Sequence, residues 1–243
     1  MSGQAFSGAA IAARPIQGGR ERPGASAAVG VAVLCVLALA AVWVVAQLVP
    51  AVHLRDAVAL RDFTLLSRPQ VDSVANFLIT LLDPLLFTIW ALALVAVALA
   101  RSRPRIAAAV AAVMALAPFT AETLKPLLAH PHAQVGAVHI GPASWPSGHS
   151  TAALIVVLCA VLVAPPRLRP VVGVLGALFA LAVGCSLLIL AWHMPSDVLG
   201  GYLVATFWMA IAIAVLRFAD RHWPARRQPG DAARAPAPDP RPR

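Results

Sequence analysis

The chain has 243 residues, of which 60% are hydrophobic and 12% are charged. A soluble globular domain carries about 25% charged residues, so this composition excludes an ordinary soluble protein and indicates a membrane protein. The formal net charge of +9 would suggest a nucleic-acid partner in a soluble protein, but here the basic residues lie at the ends of apolar segments, so membrane topology explains them and no nucleic acid is expected.

The first part of the chain predicts a tail, a membrane span and a connector. Residues 1–25 are rich in Gly, Ala and Arg, and we expect a disordered cytoplasmic tail without a removable signal peptide. Residues 27–49 are apolar and exceed the about 20 residues that a crossing needs. Residues 50–75 mix charged and apolar side chains, which fits either an amphipathic helix on the membrane surface or a packed extracytoplasmic connector.

The second predicted span, residues 76–100, contains Pro84. Proline interrupts helical hydrogen bonding, so we expect a kink or a late helix start there, with Asp83 as a cap rather than a functional charge. Four further spans follow at residues 106–124, 149–164, 171–192 and 198–216, and residues 224–243, rich in Pro, Ala and Arg, form a second disordered cytoplasmic tail. The sequence therefore predicts an all-α, polytopic membrane protein, a six-transmembrane-helix bundle over residues 26–223.

The distribution of positive charge predicts the orientation of this bundle. With six spans, one side of the membrane holds 15 of the 19 lysines and arginines, including short basic loops around Arg103 and Arg167. The positive-inside rule places that side, with both termini, in the cytoplasm, and we expect a multi-pass protein of the cell (plasma) membrane. Lys125, His149 and His193 then all lie at the extracytoplasmic face.

One polar stretch, residues 145–151 (WPSGHST), stands between a histidine-bearing loop and an apolar run. Pro, Ser and Gly in succession disfavour a helix interior but suit a helix start, which Ser147 or Ser150 can cap. The free N–H groups of a first helical turn, with the positive end of the helix dipole, form an anion site. His149 lies in that turn, where an imidazole can exchange a proton with a bound anion.

Two further segments carry residues suited to the same chemistry. Lys125 follows an apolar run, and Glu122, one turn earlier, either pairs with it or faces the membrane interface. His193 and Asp197 are separated by three residues around a proline turn. That spacing lets the carboxylate reach one imidazole nitrogen and fix the tautomer, which leaves the other nitrogen as a nucleophile.

Lys125, the tetrapeptide PSGH at residues 146–149, and the pair His193 and Asp197 occur in this order on successive apolar segments. Together they resemble the type 2 phosphatidic acid phosphatase (PAP2) family. That family carries three motifs: Lys-x6-Arg-Pro, Pro-Ser-Gly-His, and Ser-Arg-x5-His-x3-Asp. The second motif is intact in this chain, and the lysine, histidine and aspartate of the other two are present.

The first and third motifs each depart from the family at an arginine. His132 and Ala133 stand where the first motif has Arg and Pro, and Leu187 follows Ser186 where the third motif has Arg. A charge-stabilising arginine in phosphoryl transfer contributes ~10³–10⁵ in rate, so the loss predicts a slow enzyme unless other cations compensate. The outer connector offers three candidates: Arg55, Arg61 and Arg68.

The resemblance implies a role for each matched residue. His193 would be the nucleophile that forms a phosphohistidine, Asp197 would orient and charge it, and His149 would be the general acid for the leaving oxygen. The substrate phosphate would be bound by the remaining matched residues: Lys125, Ser147, Gly148, Ser186 and, in place of an arginine, His132. The family needs no metal or other cofactor.

The function implied by the resemblance is a membrane-embedded lipid phosphatase that acts at the extracytoplasmic face. Its expected partners are the lipid bilayer and a lipid phosphate or diphosphate substrate: polyprenyl diphosphate, phosphatidate or phosphatidylglycerol phosphate. The alternative is a catalytically weak or inactive relative that binds or transports a phospholipid-like ligand. His149, His193 and Asp197 favour the enzyme, whereas Leu187 and His132 favour the alternative.

The number of histidines leaves a metal site open as another alternative. His130, His132 and His139, with His149 and His193, could supply nitrogen ligands, although only the first two have a ligand-like spacing. A haem is less favoured, because the histidines cluster in outer loops rather than facing one another in mid-span. The three cysteines lie inside apolar runs and are interpreted as packed or lipid-facing residues: Cys35, Cys159 and Cys185.

Overall fold

The computed structural model describes residues 24–133 and 139–223. All regular structure within these ranges is helical, which confirms the all-α prediction. The eight α-helices are α1 (Ala25–Trp43), α2 (Pro50–Thr64), α3 (Pro69–Thr80), α4 (Pro84–Ala100), α5 (Pro104–Leu127), α6 (Gly148–Val163), α7 (Arg169–Ile189) and α8 (Pro195–His222). A π-helical turn, Val44–Leu48, extends α1. The two predicted tails lie outside the described residues, apart from Gly24 and Ala25 at the start of α1.

Prolines determine where most of the helices begin. Five of them, α2, α3, α4, α5 and α8, have proline as their first residue, and α7 has it as its second. Proline suits a first turn because its fixed φ matches the helix and its missing N–H would have no intrahelical partner there. Among the described helices, α1 and α6 begin without a proline.

The predicted break at Pro84 separates two helices. α3 and α4 meet at a bend of 53°, and Asp83 occupies the N-cap position of α4, as expected. Its side chain, however, makes no capping hydrogen bond. The second predicted span is therefore a bent pair of helices that begins at Pro69, earlier than residue 76.

The connector between the first two predicted spans is the packed helix α2. Leu60 is 1% exposed and belongs to the same buried apolar cluster as Val183 and Leu187 of α7. Leu54 and Val58, on the other hand, are exposed. The packing of Leu60 favours a packed connector, and contact of the exposed apolar residues with the membrane surface stays a prediction.

Among the residues that the structure describes, fewer helices than the six expected meet the length and hydropathy that a membrane crossing needs. Four helical segments are long and apolar enough to cross: Ala25–Leu48, Pro104–Leu127, Arg169–Ile189 and Pro195–His222. The bent pair α3 and α4 would provide a fifth. α6 has 16 residues, fewer than the about 20 that a straight crossing needs. By length and composition, the described residues provide four or five crossings instead of the predicted six.

Long-range contacts define the two ends of the bundle. At one end, Arg105 at the start of α5 forms an ion pair of 3.1 Å with Asp220 near the end of α8. At the opposite end, the indole N–H of Trp43 donates to the carbonyl oxygen of Leu128, just after α5, at 3.2 Å. We call the first the basic end, where α5 begins and α6 and α8 end, and the second the site end, where α5 ends and α6 and α8 begin. The predicted site residues and the basic loops thus lie at opposite ends of the bundle.

Candidate active site

The tetrapeptide PSGH forms the start of α6, as the sequence predicts. Ser147 is the N-cap residue, and its hydroxyl oxygen accepts a hydrogen bond from the backbone N–H of Ser150 at 3.4 Å. Ser147 is fully buried, and Gly148 and His149 are the first two helical residues. The first turn of α6 therefore directs its free N–H groups toward the site end, which is the arrangement that favours an anion.

Short polar contacts hold the start of α6 against the start of α8. The backbone N–H of Ser147 donates to the carbonyl oxygen of Asp197 at 2.9 Å. The hydroxyl of Thr151 lies 2.8 Å from the Ser147 carbonyl oxygen and 3.1 Å from that of Gly201. A Cβ added at Gly201 would overlap the Ser147 carbonyl oxygen and Ser150 Oγ. The two helices therefore approach at backbone distance, and Asp197 is held directly beside the PSGH segment.

The predicted nucleophile and its orienting carboxylate are brought together in a buried position. His193 Nδ1 lies 3.4 Å from Asp197 Oδ2, which also accepts a hydrogen bond from the backbone N–H of Met194 at 2.9 Å. Asp197 is fully buried and His193 is 8% exposed. This arrangement turns Nδ1 toward the carboxylate and leaves Nε2 as the nitrogen able to attack a substrate.

His149 lies in the same region as His193. Its imidazole packs edge-on against the Trp192 ring, with the ring centroids 5.7 Å apart. The preceding residue on α6, Gly148, lies close to Lys125 at the end of α5. The start of α6, the end of α5 and the α7–α8 turn therefore bring the two predicted catalytic histidines and the predicted phosphate-binding lysine to one site.

Lys125 is paired with a carboxylate. Its ammonium nitrogen lies 2.7 Å from Glu122 Oε1, one turn earlier on α5, which decides between the two possibilities left open by the sequence. A Cβ added at Gly148 would lie 2.5 Å from Glu122 Oε1 and 3.7 Å from Lys125 Nζ. Glycine at position 148 thus leaves room for the ion pair next to the predicted anion site.

His132 belongs to a cluster of three histidines at the site end. Its ring stacks on that of His53, with centroids 5.9 Å apart, and His130 meets His53 edge-on at 6.0 Å. His132 Nε2 lies 2.8 Å from the hydroxyl of Ser144, whereas Nδ1 is buried with no hydrogen-bond partner among the described residues. Burial lowers the pKa of His132, and the nearby Asp197 opposes that shift. Because of its burial, His132 is a weaker cation than the arginine of the family motif.

His53 anchors this loop and was not identified from the sequence. Its Nδ1 lies 2.8 Å from the carbonyl oxygen of Ala46, and its Nε2 accepts a hydrogen bond from the backbone N–H of Ala133 at 2.6 Å. Because a carbonyl can only accept and an amide N–H can only donate, His53 is the neutral Nδ1–H tautomer. It therefore holds the loop that contains His132 and keeps both of its own nitrogens occupied.

Asp56 was also missed, although it supports the nucleophile segment. Its carboxylate accepts hydrogen bonds from the hydroxyl of Ser196 at 2.6 Å and from the Ser196 backbone N–H at 3.2 Å. Ser196 immediately precedes Asp197, so α2 is tied to the first turn of α8. Burial raises the pKa of the Asp56 carboxyl, and the hydrogen bonds from Ser196 oppose that shift.

On α7, the residues at the third-motif positions make contacts within the bundle and within their own helix. Leu187 is fully buried among apolar residues, and the hydroxyl of Ser186 donates to the carbonyl oxygen of Ala182 in its own helix at 2.8 Å. A role for Ser186 in phosphate binding stays a prediction. The connector arginines proposed as substitutes are all exposed, and Arg68 donates to the carbonyl oxygens of Leu65 and Ser67. Their side chains are therefore turned to the surface.

The metal alternative has no matching geometry in the part of the chain that the structure describes. No three His, Cys, Asp or Glu residues there are arranged to hold a metal ion. In the histidine cluster, backbone groups occupy both nitrogens of His53 and the Ser144 hydroxyl occupies one nitrogen of His132. All three cysteines are free thiols, and Cys185 is exposed, whereas the other two are buried.

Comparisons with known proteins identify the fold and the family. The family model described as the PAP2 superfamily matches residues 25–221. A solved structure of a transmembrane PAP2-type phosphatidylglycerolphosphate phosphatase from Bacillus subtilis superposes with a TM-score of 0.67 at 20% sequence identity, covering 79% of this chain and 98% of that one. A search of curated proteins found no match.

Proposed function

The chain belongs to the PAP2 superfamily, and from that membership we propose that it is a membrane-embedded phosphatase that hydrolyses a lipid phosphate or lipid diphosphate. The observation that carries the proposal is the pairing of His193 with the fully buried Asp197 beside the start of α6. His149 and Lys125 lie in the same region, so a nucleophile, an acid, an orienting carboxylate and a cation surround one anion-binding helix start.

The proposed reaction has two steps at phosphorus. His193 Nε2 attacks the phosphorus, so that a P–N bond forms while the P–O bond to the lipid breaks, and His149 donates its proton to the leaving oxygen. His149 then accepts a proton from water, which attacks the phosphorus and breaks the P–N bond. Phosphate leaves, and both histidines return to their starting protonation states.

Asp197 and the phosphate-binding groups make this reaction favourable. The imidazole of His193 gains positive charge as the P–N bond forms, and the Asp197 carboxylate at 3.4 Å stabilises that charge. The phosphate would be bound by Lys125 and the first-turn N–H groups of α6, including that of Gly148. The reaction scheme requires no metal and no other cofactor.

We propose six crossings, with both termini in the cytoplasm and the site at the extracytoplasmic face of the plasma membrane. The separation of the basic end from the site end supports this orientation, because positive loops stay in the cytoplasm. α6 would be the sixth crossing. Its 16 residues span about 24 Å of the about 30 Å hydrocarbon core, and the contacts of α6 with α5, α7 and α8 cover it on several sides.

Three lipids are candidate substrates: phosphatidate, polyprenyl diphosphate and phosphatidylglycerol phosphate. The last is the first to test, since the structurally similar Bacillus subtilis protein is described as a phosphatidylglycerolphosphate phosphatase. All three present a terminal phosphate on an apolar anchor, which the proposed site could reach from the membrane.

Leu187 favours a second candidate function. It stands where the family motif has a phosphate-binding arginine, and it is fully buried in an apolar cluster. No guanidinium group is therefore supplied from this position. A chain with this site could be catalytically weak, or inactive, and bind or transport a phospholipid-like ligand.

Phosphate release from purified full-length protein in proteoliposomes distinguishes the two functions. We expect release from at least one of the three lipids, abolished by His193→Ala and unaffected by His222→Ala, a control histidine at the basic end. Rapid quenching with labelled substrate should trap acid-labile phosphate on His193, and Asp197→Asn should be severely but incompletely impaired. Lipid binding without release would establish the second function, and label on Ser147 would exclude the phosphohistidine mechanism.

A further inference from the structure

A cavity lies at the basic end, at the opposite end of the bundle from the proposed catalytic histidines. Its volume is about 760 Å³, within the range of roughly 300–1,000 Å³ that is usual for sites of small ligands. Its walls come from the α4–α5 turn, the end of α6, the start of α7 and the end of α8. The proposed catalytic and phosphate-binding residues are absent from its lining.

The polar part of this lining is strongly basic. Arg103, Arg105, Arg169 and Arg217 face a single acidic residue, Asp220, so the lining carries a net charge of +3. Arg105 and Asp220 form an ion pair with each other. The other three arginines have no carboxylate partner among residues 24–133 and 139–223. The cavity is therefore suited to an anion.

Arg103 provides an independent sign of a missing acceptor. Its Nη1 is buried and makes no hydrogen bond to any described residue. Burying a charged donor without an acceptor is unfavourable, and an anion in the cavity would supply that acceptor. Arg103 is also the N-cap residue of α5, so the positive end of that helix dipole favours an anion at the same place.

Membrane topology alone does not account for this arrangement. Arg101 and Arg167 lie at the same end of the bundle, but both are exposed and neither lines the cavity. The positive-inside rule is sufficient to explain these two arginines. Arg103, Arg169 and Arg217 are instead partly buried and converge on one cavity.

The remaining wall of the cavity is apolar and comes from α6 and α8: Leu158, Leu162, Met209, Ile213 and Leu216. Guanidinium groups bind phosphate through paired, charge-assisted hydrogen bonds, whereas an alkyl chain is stabilised by contact with hydrocarbon. A free phosphate would use only the arginines. An amphiphile that carries both a phosphate and an acyl chain would use both walls.

We propose that this cavity binds an anionic phospholipid from the membrane leaflet at the basic end. Its phosphate lies among Arg103, Arg169 and Arg217, and an acyl chain lies along the wall formed by α6 and α8. The site is separate from the catalytic site and does not depend on phosphatase activity.

The test is photo-crosslinking of the full-length protein in proteoliposomes, with a diazirine in the lipid acyl chain and peptide mapping of the labelled residues. Phosphatidylglycerol should label the cavity wall on α6 and α8 more strongly than phosphatidylcholine, whose choline balances the phosphate charge. Arg103→Gln/Arg217→Gln should reduce this labelling roughly tenfold. The matched control, Arg101→Gln/Arg167→Gln, removes two charges from the same end and should change it less than about twofold.

Four results would overturn the proposal. Equal labelling by the two lipids would mean that the cavity does not recognise negative charge, and equal effects of the two double variants would mean that only general surface charge matters. Loss of labelling in millimolar inorganic phosphate would identify a site for the free anion. If the glutamine variant fails to fold, Arg103→Lys/Arg217→Lys is the second variant, because it keeps the charge but loses the paired hydrogen-bond geometry. It should show a partial loss of labelling. Undiminished labelling would count against the proposal.

Discussion

The carboxylate of Glu122 holds the ammonium group of Lys125 at 2.7 Å, beside Gly148 at the start of α6. A carboxylate thus lies where the first-turn N–H groups would bind a phosphate. In the proposed reaction, an incoming phosphate would compete with Glu122 for Lys125 and would also be repelled by the Glu122 charge. Glu122 must move, or remain as a local repulsion, when substrate binds.

Replacing Glu122 with glutamine should therefore improve substrate binding. Glu122 is 61% exposed in its side chain, and exposed pairs contribute only about 0.2–1 kcal/mol, so KM should fall by up to about fivefold with little change in kcat. Steady-state phosphate release measures both constants. Asp62→Asn, an exposed acidic residue on α2, is the matched control, and a raised KM for Glu122→Gln would instead mean that Glu122 positions Lys125.

The buried environment of His132 changes the pH at which it can act as a substitute for arginine. An unperturbed histidine loses its charge near pH ~6.5, and burial lowers the pKa of His132 below that value. The fold thus favours the neutral form of His132. The contribution of this preference to the free energy of unfolding is present above about pH 6.5 and is lost as the pH falls below that value. In the absence of ligand, His132 contributes positive charge only at acidic pH, although a bound phosphate favours the protonated form.

His132→Arg should consequently remove one component of the pH profile. We expect wild-type kcat/KM to decline as pH rises, partly through loss of charge on His132, and the variant to keep only the remaining decline, with a lower KM at about pH 8. Steady-state kinetics across pH check this, and His222→Arg, an exposed histidine at the basic end, should leave the profile unchanged. Superimposable profiles for wild type and His132→Arg would show that His132 does not bind the phosphate.

A methyl group at Gly201 should disrupt the site. It would overlap the carbonyl oxygen of Ser147 and the hydroxyl of Ser150, and overpacking of this kind costs about 1–3 kcal/mol. Gly201→Ala should lower the midpoint of thermal unfolding and remove most of the activity. Gly30→Ala on α1, with no atom within 4 Å of the added methyl, should keep the activity and should not lower the midpoint. Equal midpoints for the two variants would contradict the close contact of α6 and α8.

The proposed orientation predicts the labelling of two engineered cysteines. In a variant without the three native cysteines, Ala129→Cys at the site end should react with a membrane-impermeant thiol reagent in intact cells. Arg101→Cys at the basic end should react only after permeabilisation. Both positions are exposed, so access is decided by the membrane. The opposite pattern would place the site at the inner face.

The sequence could predict those structural features that depend only on residues close together in the chain. Proline and glycine chemistry predicts the break at Pro84 and the start of α6 at PSGH, since both depend on the backbone of a few neighbouring residues. The spacing of His193 and Asp197 likewise predicts their contact, because it spans a single turn. Hydropathy located all six apolar segments, but only the structure gave the bent pair α3 and α4 and the 16-residue length of α6.

Contacts between distant parts of the chain could not be predicted in this way. The hydrogen bonds from Ser196 to Asp56 join residues 140 positions apart, and no sequence period connects α2 with α8. The support of the His132 loop by His53 is of the same kind. The sequence does reveal that Leu187 replaces an arginine, but its burial among apolar side chains emerges only from packing.

The helix-starting prolines have a consequence for where in this molecule an anion can bind. Each of the six helices with proline in its first two positions presents one fewer amide hydrogen at its start. Among the helices that begin at the site end, α6 keeps all of its first-turn amide hydrogens, directly beside His149. At the site end, we therefore expect phosphate to prefer the first turn of α6 over that of α8, whose first residue, Pro195, has no amide hydrogen.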